Sequence, residues 1–389
     1  MSLLNLRPIA FFAHERGDAR VVKRIAAFQE QGRKVIGFTF HRVRDKKDLE
    51  PIWENVHLGT TYNRRYFQRL WIFLKSVGVL WAHRERLGEC GLIYVVNTDN
   101  AVLALLGRFF SGRRIPIVLE LADIQPVMVG QGIVSGFLRR IERAVFSKIA
   151  LLVTTSPGFV REYFQAVQEY TGEVFLLENK IYPSRDLPQS LTQHIDSPVA
   201  GGQPWVIGCF GALRCRRSLE IMQVLAERLA GRVRFILRGY PSGTLTDEFD
   251  SLLGDTPNLR FEGSYFYPTE LAEIYAEIDF NWAFDMSAPG GNSTWLLPNR
   301  IYEGGCFGVP ALGAKETETG HWIEVHGVGW TFAEPLERTL EEFLNSLETA
   351  EWGLVKRRCV ARQRNEFTGD ADYATLANKL REIECRPVL

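Results

Sequence analysis

Hydrophobic residues in this chain come in short runs, separated by longer stretches in which apolar positions recur every third or fourth residue. The short runs predict buried strands and the periodic stretches predict amphipathic helices. Pro8–Ala13 predicts a strand. The polar turn His14–Asp18 follows, then a helix over Ala19–Gln31 closed by Gly32, then a second strand, Val35–Phe40. The alternation continues through strands at Leu92–Val96, Ile115–Leu119 and Ala150–Thr155, with helices at Ala101–Phe110 and Phe137–Ser147. Residues Pro183–Pro204 lose the periodicity and collect Pro, Ser, Gln and Gly, which marks a linker. A second series opens at Trp205–Phe210 and runs through a helix at Leu219–Ala230 and strands at Val233–Leu237, Leu259–Phe261, Asp279–Phe284 and Ala311–Ala314. Helices at Val360–Phe367 and Tyr373–Glu384 end it. Strand–helix alternation throughout predicts an α/β protein with two doubly wound sheets side by side. The domains expected are residues 1–182 and 205–389, joined by the linker 183–204.

The stretch Asn292–Gly313, NSTWLLPNRIYEGGCFGVPALG, carries the most chemistry. It reads as a loop, a short helix begun by Pro298, and a return to a strand at Ala311–Ala314. Arg300 and Glu303 are three apart and share a face near the positive end of that helix. Gly304 and Gly305 remove bulk where the backbone approaches something closely. A helix N-terminus with one guanidinium and one carboxylate suits a nucleoside diphosphate: amides and Arg take phosphate, while the carboxylate accepts from vicinal ribose hydroxyls. An ordinary surface ion pair fits the same spacing. Upstream, Gly211-Ala-Leu-Arg214-Cys-Arg216-Arg217-Ser218 leads from a predicted buried strand into a helix, where fixed cations fit phosphate contact.

The run PNRIYEGGCFGVPALG resembles the C-terminal-domain signature of GT-B glycosyltransferases, especially family 4 enzymes of bacterial polysaccharide assembly. The resemblance implies that Glu303 holds the nucleotide ribose, with Gly211, Asn292, Asn299 and Arg300 on the donor side. Trp295 stands where the family's commonest form has a second Glu. The Gly211–Ser218 segment is similar to the family's diphosphate loop, with Arg217 in the late basic position and Arg214 standing in for the early one. The string Asp18-x-Arg20-Val21-x-Lys23-Arg24 resembles the family's first loop and helix. Asp18 is thus an N-cap by its residue type and an acceptor-side residue by resemblance. Glu120-Leu-Ala-Asp123 resembles an acidic segment beside the donor sugar, with Ala122 where the family has His. Glu120 falls on the acceptor side and Asp123 among catalytic groups with Arg214 and Arg217. Ser156-Pro157-Gly158 matches the family's step from strand to helix.

The GT-B fold so implied has two Rossmann-like domains with a cleft between them and a terminal helix that crosses back to the first. The implied activity moves a sugar from a nucleoside diphosphate donor to a lipid-linked or growing glycan acceptor, with retention. Two other readings stay open: a GT-B nucleotide-sugar epimerase, and a catalytically silent scaffold of a glycan-assembly complex. No cofactor or metal is expected, since Arg and the helix N-terminus can support a departing diphosphate.

Charge adds a partner to this picture. Residues 1–200 carry 27 Lys+Arg against 19 Asp+Glu, and the remainder carry 19 against 27, although the whole chain of 389 residues is neutral. A basic N-terminal half suits an anionic surface. The segment Tyr62–Leu87 interleaves Arg64, Arg65, Arg69, Lys75, Arg84 and Arg86 with aromatic residues at helical spacing. Such a helix can lie in an anionic membrane interface or turn its apolar face to the core. Trp71–Ala82 is too short to span a membrane and contains Lys75. The expected location is the cytoplasm, peripheral at the inner membrane face, with no nucleic-acid partner. The six cysteines form no CxxC pair and are expected as free thiols. There is no GxGxxG after a strand and no GxxxxGK[ST] loop, so dinucleotide-binding and P-loop readings lose their main support.

Overall fold

The structure, a computed structural model, describes residues 6–42, 51–61, 66–182 and 204–386. It forms two compact units: Met1–Thr154, Tyr163–Leu177 and Asp372–Leu389 in unit 1, and Thr155–Glu162 and Glu178–Ala371 in unit 2. Apart from Pro204, the expected linker lies outside the described residues, as do Tyr62–Arg65 of the basic segment.

Unit 1 is built on a parallel sheet of β1 (Ile9–Ala13), β2 (Val35–Arg42), β3 (Glu54–Thr61), β4 (Leu92–Val96), β5 (Ile117–Leu121), β6 (Leu151–Thr154) and β7 (Val174–Leu176). The spatial order is β3-β2-β1-β4-β5-β6-β7. Four helices matter below: α1 (Ala19–Glu30), α2 (Tyr66–Ala82), α3 (Thr98–Ser111) and α4 (Ile133–Phe146). Unit 2 repeats the plan with β8 (Trp205–Leu213), β9 (Val233–Pro241), β10 (Leu259–Phe261), β11 (Phe280–Trp282), β12 (Ala311–Ala314) and β13 (Gly329–Phe332), ordered β10-β9-β8-β11-β12-β13. Its helices include α5 (Arg216–Arg228), α6 (Asn299–Cys306) and α7 (Thr349–Arg362). The C-terminal helix α8 (Asp370–Cys385) belongs to unit 1 from Asp372 onward.

The expected α/β architecture of two doubly wound sheets is what forms. Central strands such as β1, β4 and β5 are buried along their whole length, which is why they read as unbroken apolar runs. The strands that the pattern missed, β3, β7 and β13, all lie at sheet edges. An edge strand is covered on fewer sides: β3, ENVHLGTT, keeps polar residues, while β7 (VFL) and β13 (GWTF) are too short to stand out and are only partly buried.

In both sheets the connections reverse direction beside the first strand, between β1 and β4 and between β8 and β11. Doubly wound sheets bind ligands at the strand C-termini beside such a switch point. Both candidate centres lie there.

One buried carboxylate in the frame of unit 2 sets a pH dependence. Asp279 precedes β11 and accepts from Val206 N at 2.9 Å, and burial pushes its pKa up to about 6. A raised carboxyl pKa contributes stability below the unfolded value of about 4 that is lost as pH rises through about 6. Asp279→Asn keeps an acceptor for Val206 without the charge. The variant should therefore melt higher than the wild type at pH 7.5 and show no gain at pH 4. Equal melting temperatures at both pH values would overturn this assignment.

Candidate functional site

In unit 2 the residues after β8 and β11 meet. Gly211, near the end of β8, has φ +103, and a Cβ on its register partner Gly239 would lie 1.9 Å from Gly211 O. The pair lets two strands close while the chain turns toward Arg214. Arg214 donates from Nε and Nη2 to Asp285 Oδ2 at 2.9 and 2.6 Å. The other oxygen of Asp285 accepts from Ser287 N (3.1 Å), Ser287 Oγ (2.6 Å) and Ser293 Oγ (2.9 Å). One carboxylate therefore ties Arg214 to the loop that leads to Asn292. Burial would raise the Asp285 pKa, but the Arg214 charge and the Ser287 hydrogen bonds outweigh it and hold Asp285 at about 2.

Helix α6 supplies the second half. Pro298 is its extended N-cap rather than a residue of its first turn, and Asn299, exposed, is its first residue. The helix ends with Gly308 at φ +72, where Gly308 N reaches Gly305 O (3.0 Å) and Val309 N reaches Gly304 O (2.8 Å). This satisfies the last carbonyls before the chain enters β12. Gly304 and Gly305 let the helix approach Asn281 and Phe367: added Cβ atoms would meet them at 2.6 and 2.1 Å. Arg300 is held from below, donating from Nη1 to Trp282 O (3.2 Å) and Cys209 Sγ (3.3 Å). Glu303 is buried and accepts from Tyr275 Oη at 3.2 Å. Tyr275 is wedged between Phe210 and Phe307. Burial and the Glu303 charge push its hydroxyl well above its ordinary pKa, so it stays a donor.

Arg214, Asp285, Arg300, Cys209 and Cys215 line one recess whose open space is about 30 Å³, room for a water or two. A diphosphate would therefore sit over its mouth. Arg217 does not line it; Arg217 donates from Nη2 to Glu337 Oε2 at 2.9 Å, with Glu334 at 3.7 Å. Asn292 opens the short turn Asn292–Trp295, which accepts the Ser156-Pro157-Gly158 step: Ser156 Oγ donates to Trp295 O. A Cβ on Gly158 would lie 2.5 Å from that same oxygen. Trp295 thus serves this packing through its backbone.

In unit 1 the strand C-termini gather a polar set. Asp18 caps α1, accepting from Arg20 N (2.9 Å) and Val21 N (3.4 Å). Asp123, after β5, lies 3.5 Å from Arg20 Nη2. Glu120 is elsewhere: it is fully buried in a fork with Arg24, whose Nε and Nη2 lie 3.0–3.2 Å from its oxygens. Tyr94 Oη donates to it at 2.5 Å, and Arg24 also contacts Tyr373 of α8. The structure therefore does not present Glu120 to a ligand.

Sequence reasoning missed Asp285, Tyr275, His14 and Asn97. Asp285 follows a predicted strand and could have been found by that position alone. Asn97 follows β4 with φ 71 and ψ 152, a strained conformation for a residue with a side chain. Its Nδ2 is 3.3 Å from His14 Nδ1, and His14 Nε2 is 4.0 Å from Asp18 Oδ2. No spacing in the sequence announces that contact, because it joins loops 83 residues apart.

No protein-family model matches the chain. It is 34% identical over 324 residues to the succinoglycan biosynthesis protein ExoL of Rhizobium meliloti (strain 1021), covering 82% of this chain and 80% of that one. Among solved structures it is similar to sucrose-phosphate synthase from Thermosynechococcus elongatus, with a TM-score of 0.73, 14% identity and coverage of 97% and 99%. HepE of Anabaena, solved with UDP and glucose, gives 0.68 at 17% identity, covering 97% of this chain and 100% of that one. WaaG, a glycosyltransferase involved in lipopolysaccharide biosynthesis, gives 0.63 at 16%, with the same coverage. Paired doubly wound sheets, each with its ligand edge at a switch point, are the GT-B fold, and the protein is a glycosyltransferase of that class. Within it, the chain belongs to the family of the succinoglycan biosynthesis protein ExoL.

Proposed function

We propose that this glycosyltransferase of polysaccharide assembly transfers a sugar, with retention, from a nucleoside diphosphate sugar to a lipid-linked or growing glycan. The observation that carries the reading is the meeting of Arg214 and Arg300 in one recess beside the switch point of the second sheet, with Glu303 one helical turn on from Arg300. HepE, of the same fold, binds UDP and UDP-glucose, which supports a nucleotide-sugar donor here. Glu303, oriented by Tyr275, takes the ribose hydroxyls. Arg214 and Arg300, with the N-terminus of α6 opened by Asn299, face the diphosphate and stabilise the charge that grows as it departs. Asp285 holds Arg214 in place before the donor arrives. Gly211 and Asn292 shape the walls. On the acceptor side, Asp18 and Asp123, together with His14 held by Asn97, offer oxygens and an imidazole to sugar hydroxyls. The basic segment Tyr62–Leu87 supports docking of unit 1 on an anionic membrane face, where a lipid-linked acceptor resides. No helix among the described residues is long and apolar enough to cross a membrane.

A thermal-shift panel of UDP, GDP, ADP and their glucose conjugates identifies the base, because a ligand of the native state raises its melting point by mass action. With the best ligand, Arg214→Ala should weaken the diphosphate and the sugar conjugate by about 1.5–3 kcal/mol, the range for a charge-assisted hydrogen bond. The bare nucleoside should be unaffected. Arg217→Ala should cost less, since Arg217 is engaged by Glu337. Equal loss for nucleoside and diphosphate in Arg214→Ala would mean that Arg214 only braces the loop. No stabilisation by any conjugate would sink the donor reading.

A further inference from the structure

At the opposite strand ends of the first sheet lies a groove of about 830 Å³ that the donor and acceptor chemistry does not use. Its walls are the end of α3, the entry to β5 and the loop between α4 and β6, with Ile383 of α8 and Arg386 just past its end. Arg108 braces two walls, its Nη1 lying 3.4 Å from both Ile115 O and Lys148 O. Arg386 is paired with Glu173 at 3.0 Å. The remaining cations, Arg113, Arg114 and Lys148, are exposed, and no carboxylate among the described residues pairs with them. Lys148 lies just past α4 and Arg108 in the last turn of α3, where helix dipoles favour cations. Arg113 and Arg114 lie beyond the left-handed cap Gly112, past the reach of that effect.

The groove continues into an exposed apolar ridge. Phe109 on its rim is 79% exposed, and the rings Phe109, Phe110 and Trp81 follow one another at 6.0 and 5.3 Å. From Trp81 the ridge runs along α2 through Leu74 to Trp71; these three residues are 54–58% exposed and share one helix face. Cations flank it: Arg84 lies 4.9 Å over Trp81 and Lys75 lies 5.5 Å over Trp71. Aromatic residues in line with unpaired cations fit a surface that is apolar below and anionic above.

We propose that this groove is a headgroup site for an anionic phospholipid, with the α2 ridge lying in the membrane interface beside it. The inference rests on the docking reading above and moves its centre of charge from Tyr62–Leu87 to Arg113, Arg114 and Lys148. The phosphodiester takes the three cations, while Phe109 and the α2 ridge contact the acyl boundary. A flexible acidic glycan or nucleic acid would use the charge but has no need of the ridge.

The test is flotation of the full chain with phosphatidylglycerol–phosphatidylcholine vesicles at low salt, with phosphatidylcholine alone as reference. The triple variant Arg113→Glu/Arg114→Glu/Lys148→Glu should partition on the order of 100-fold less, from about fivefold per cation near an anionic surface. Phe109→Ala should lower partitioning with the salt dependence unchanged. Inorganic phosphate, compared with chloride at equal ionic strength, should not compete. These residues are far from the donor centre in sequence, so thermal shift with the best nucleotide serves as the folding control. If the wild type ignores anionic vesicles, the docking reading falls and the headgroup site falls with it. If the wild type floats and the triple variant floats equally, docking stands and the groove assignment is overturned. Competition by millimolar inorganic phosphate would make the groove a small-anion site and overturn the lipid assignment.

Discussion

Replacing Arg24 by Met should destabilise unit 1 by about 3–5 kcal/mol, the usual cost of breaking a buried ion pair on one side. Glu120 is fully buried and keeps a depressed pKa: burial would raise it, but the Arg24 charge and fork outweigh that. In the wild type its contribution is therefore present above the unfolded carboxyl value of about 4.3 and lost as pH falls through the lower folded value. Without the guanidinium, burial dominates and the sign inverts, so Arg24→Met should gain stability relative to the wild type as pH falls from 7.5 to 5. The double variant Arg24→Met/Glu120→Leu should recover most of the loss, because well-packed apolar residues often replace a buried pair at little cost. Urea unfolding at the two pH values measures all three proteins. A single-variant loss below about 1 kcal/mol would show that the pair is solvated in solution. The pair joins α1 to β5 and reaches α8 through Tyr373, so it fixes the segment that ends three residues later at Asp123.

This pair also marks where sequence reasoning stops. Glu120 and Asp123 look equivalent in the string Glu-Leu-Ala-Asp, yet Glu120 lies within the fully buried β5 and Asp123 just past its end, at the exposed ligand edge. The partner that decides the matter, Arg24, is 96 residues away. The sheets were legible because buried parallel strands need unbroken apolar runs; of the edge strands only β10 was read, while β3, β7 and β13 were missed. In the proposed donor centre, the Arg300 and Glu303 spacing was visible, but the surface ion pair that also fits it could not be set aside by spacing. The structure gives each residue its own partner, Cys209 and Trp282 for Arg300 and Tyr275 for Glu303. Arg214 and Arg217 were alike in the sequence. Arg214 lies in the turn before α5 and Arg217 in its first turn, so the first reaches Asp285 at the switch point and the second Glu337.

Glu303→Ala should weaken donor binding by about 2–4 kcal/mol, as two hydrogen bonds to a charged acceptor disappear. That is a rise in Kd of roughly 30- to 900-fold. The nucleoside should lose as much as the intact donor, because the proposed contact is to ribose; this separates Glu303 from Arg214, whose loss is confined to ligands with phosphate. Folding should tolerate the change less well than a surface substitution would, since Glu303 is 7% exposed and Tyr275 loses its acceptor. The variant Tyr275→Phe controls for this. It removes the hydroxyl that orients the carboxylate but leaves the carboxylate, so its effect on affinity should be smaller than that of Glu303→Ala. Glu303→Gln should fall between them, retaining one acceptor oxygen without charge. Calorimetry with the nucleotide that best stabilises the wild type gives this ranking directly. If Tyr275→Phe and Glu303→Ala lose affinity equally, the carboxylate acts only through helix α6 and does not hold the ribose. If Glu303→Ala binds donor as the wild type does, Arg300 and the helix N-terminus must carry recognition alone.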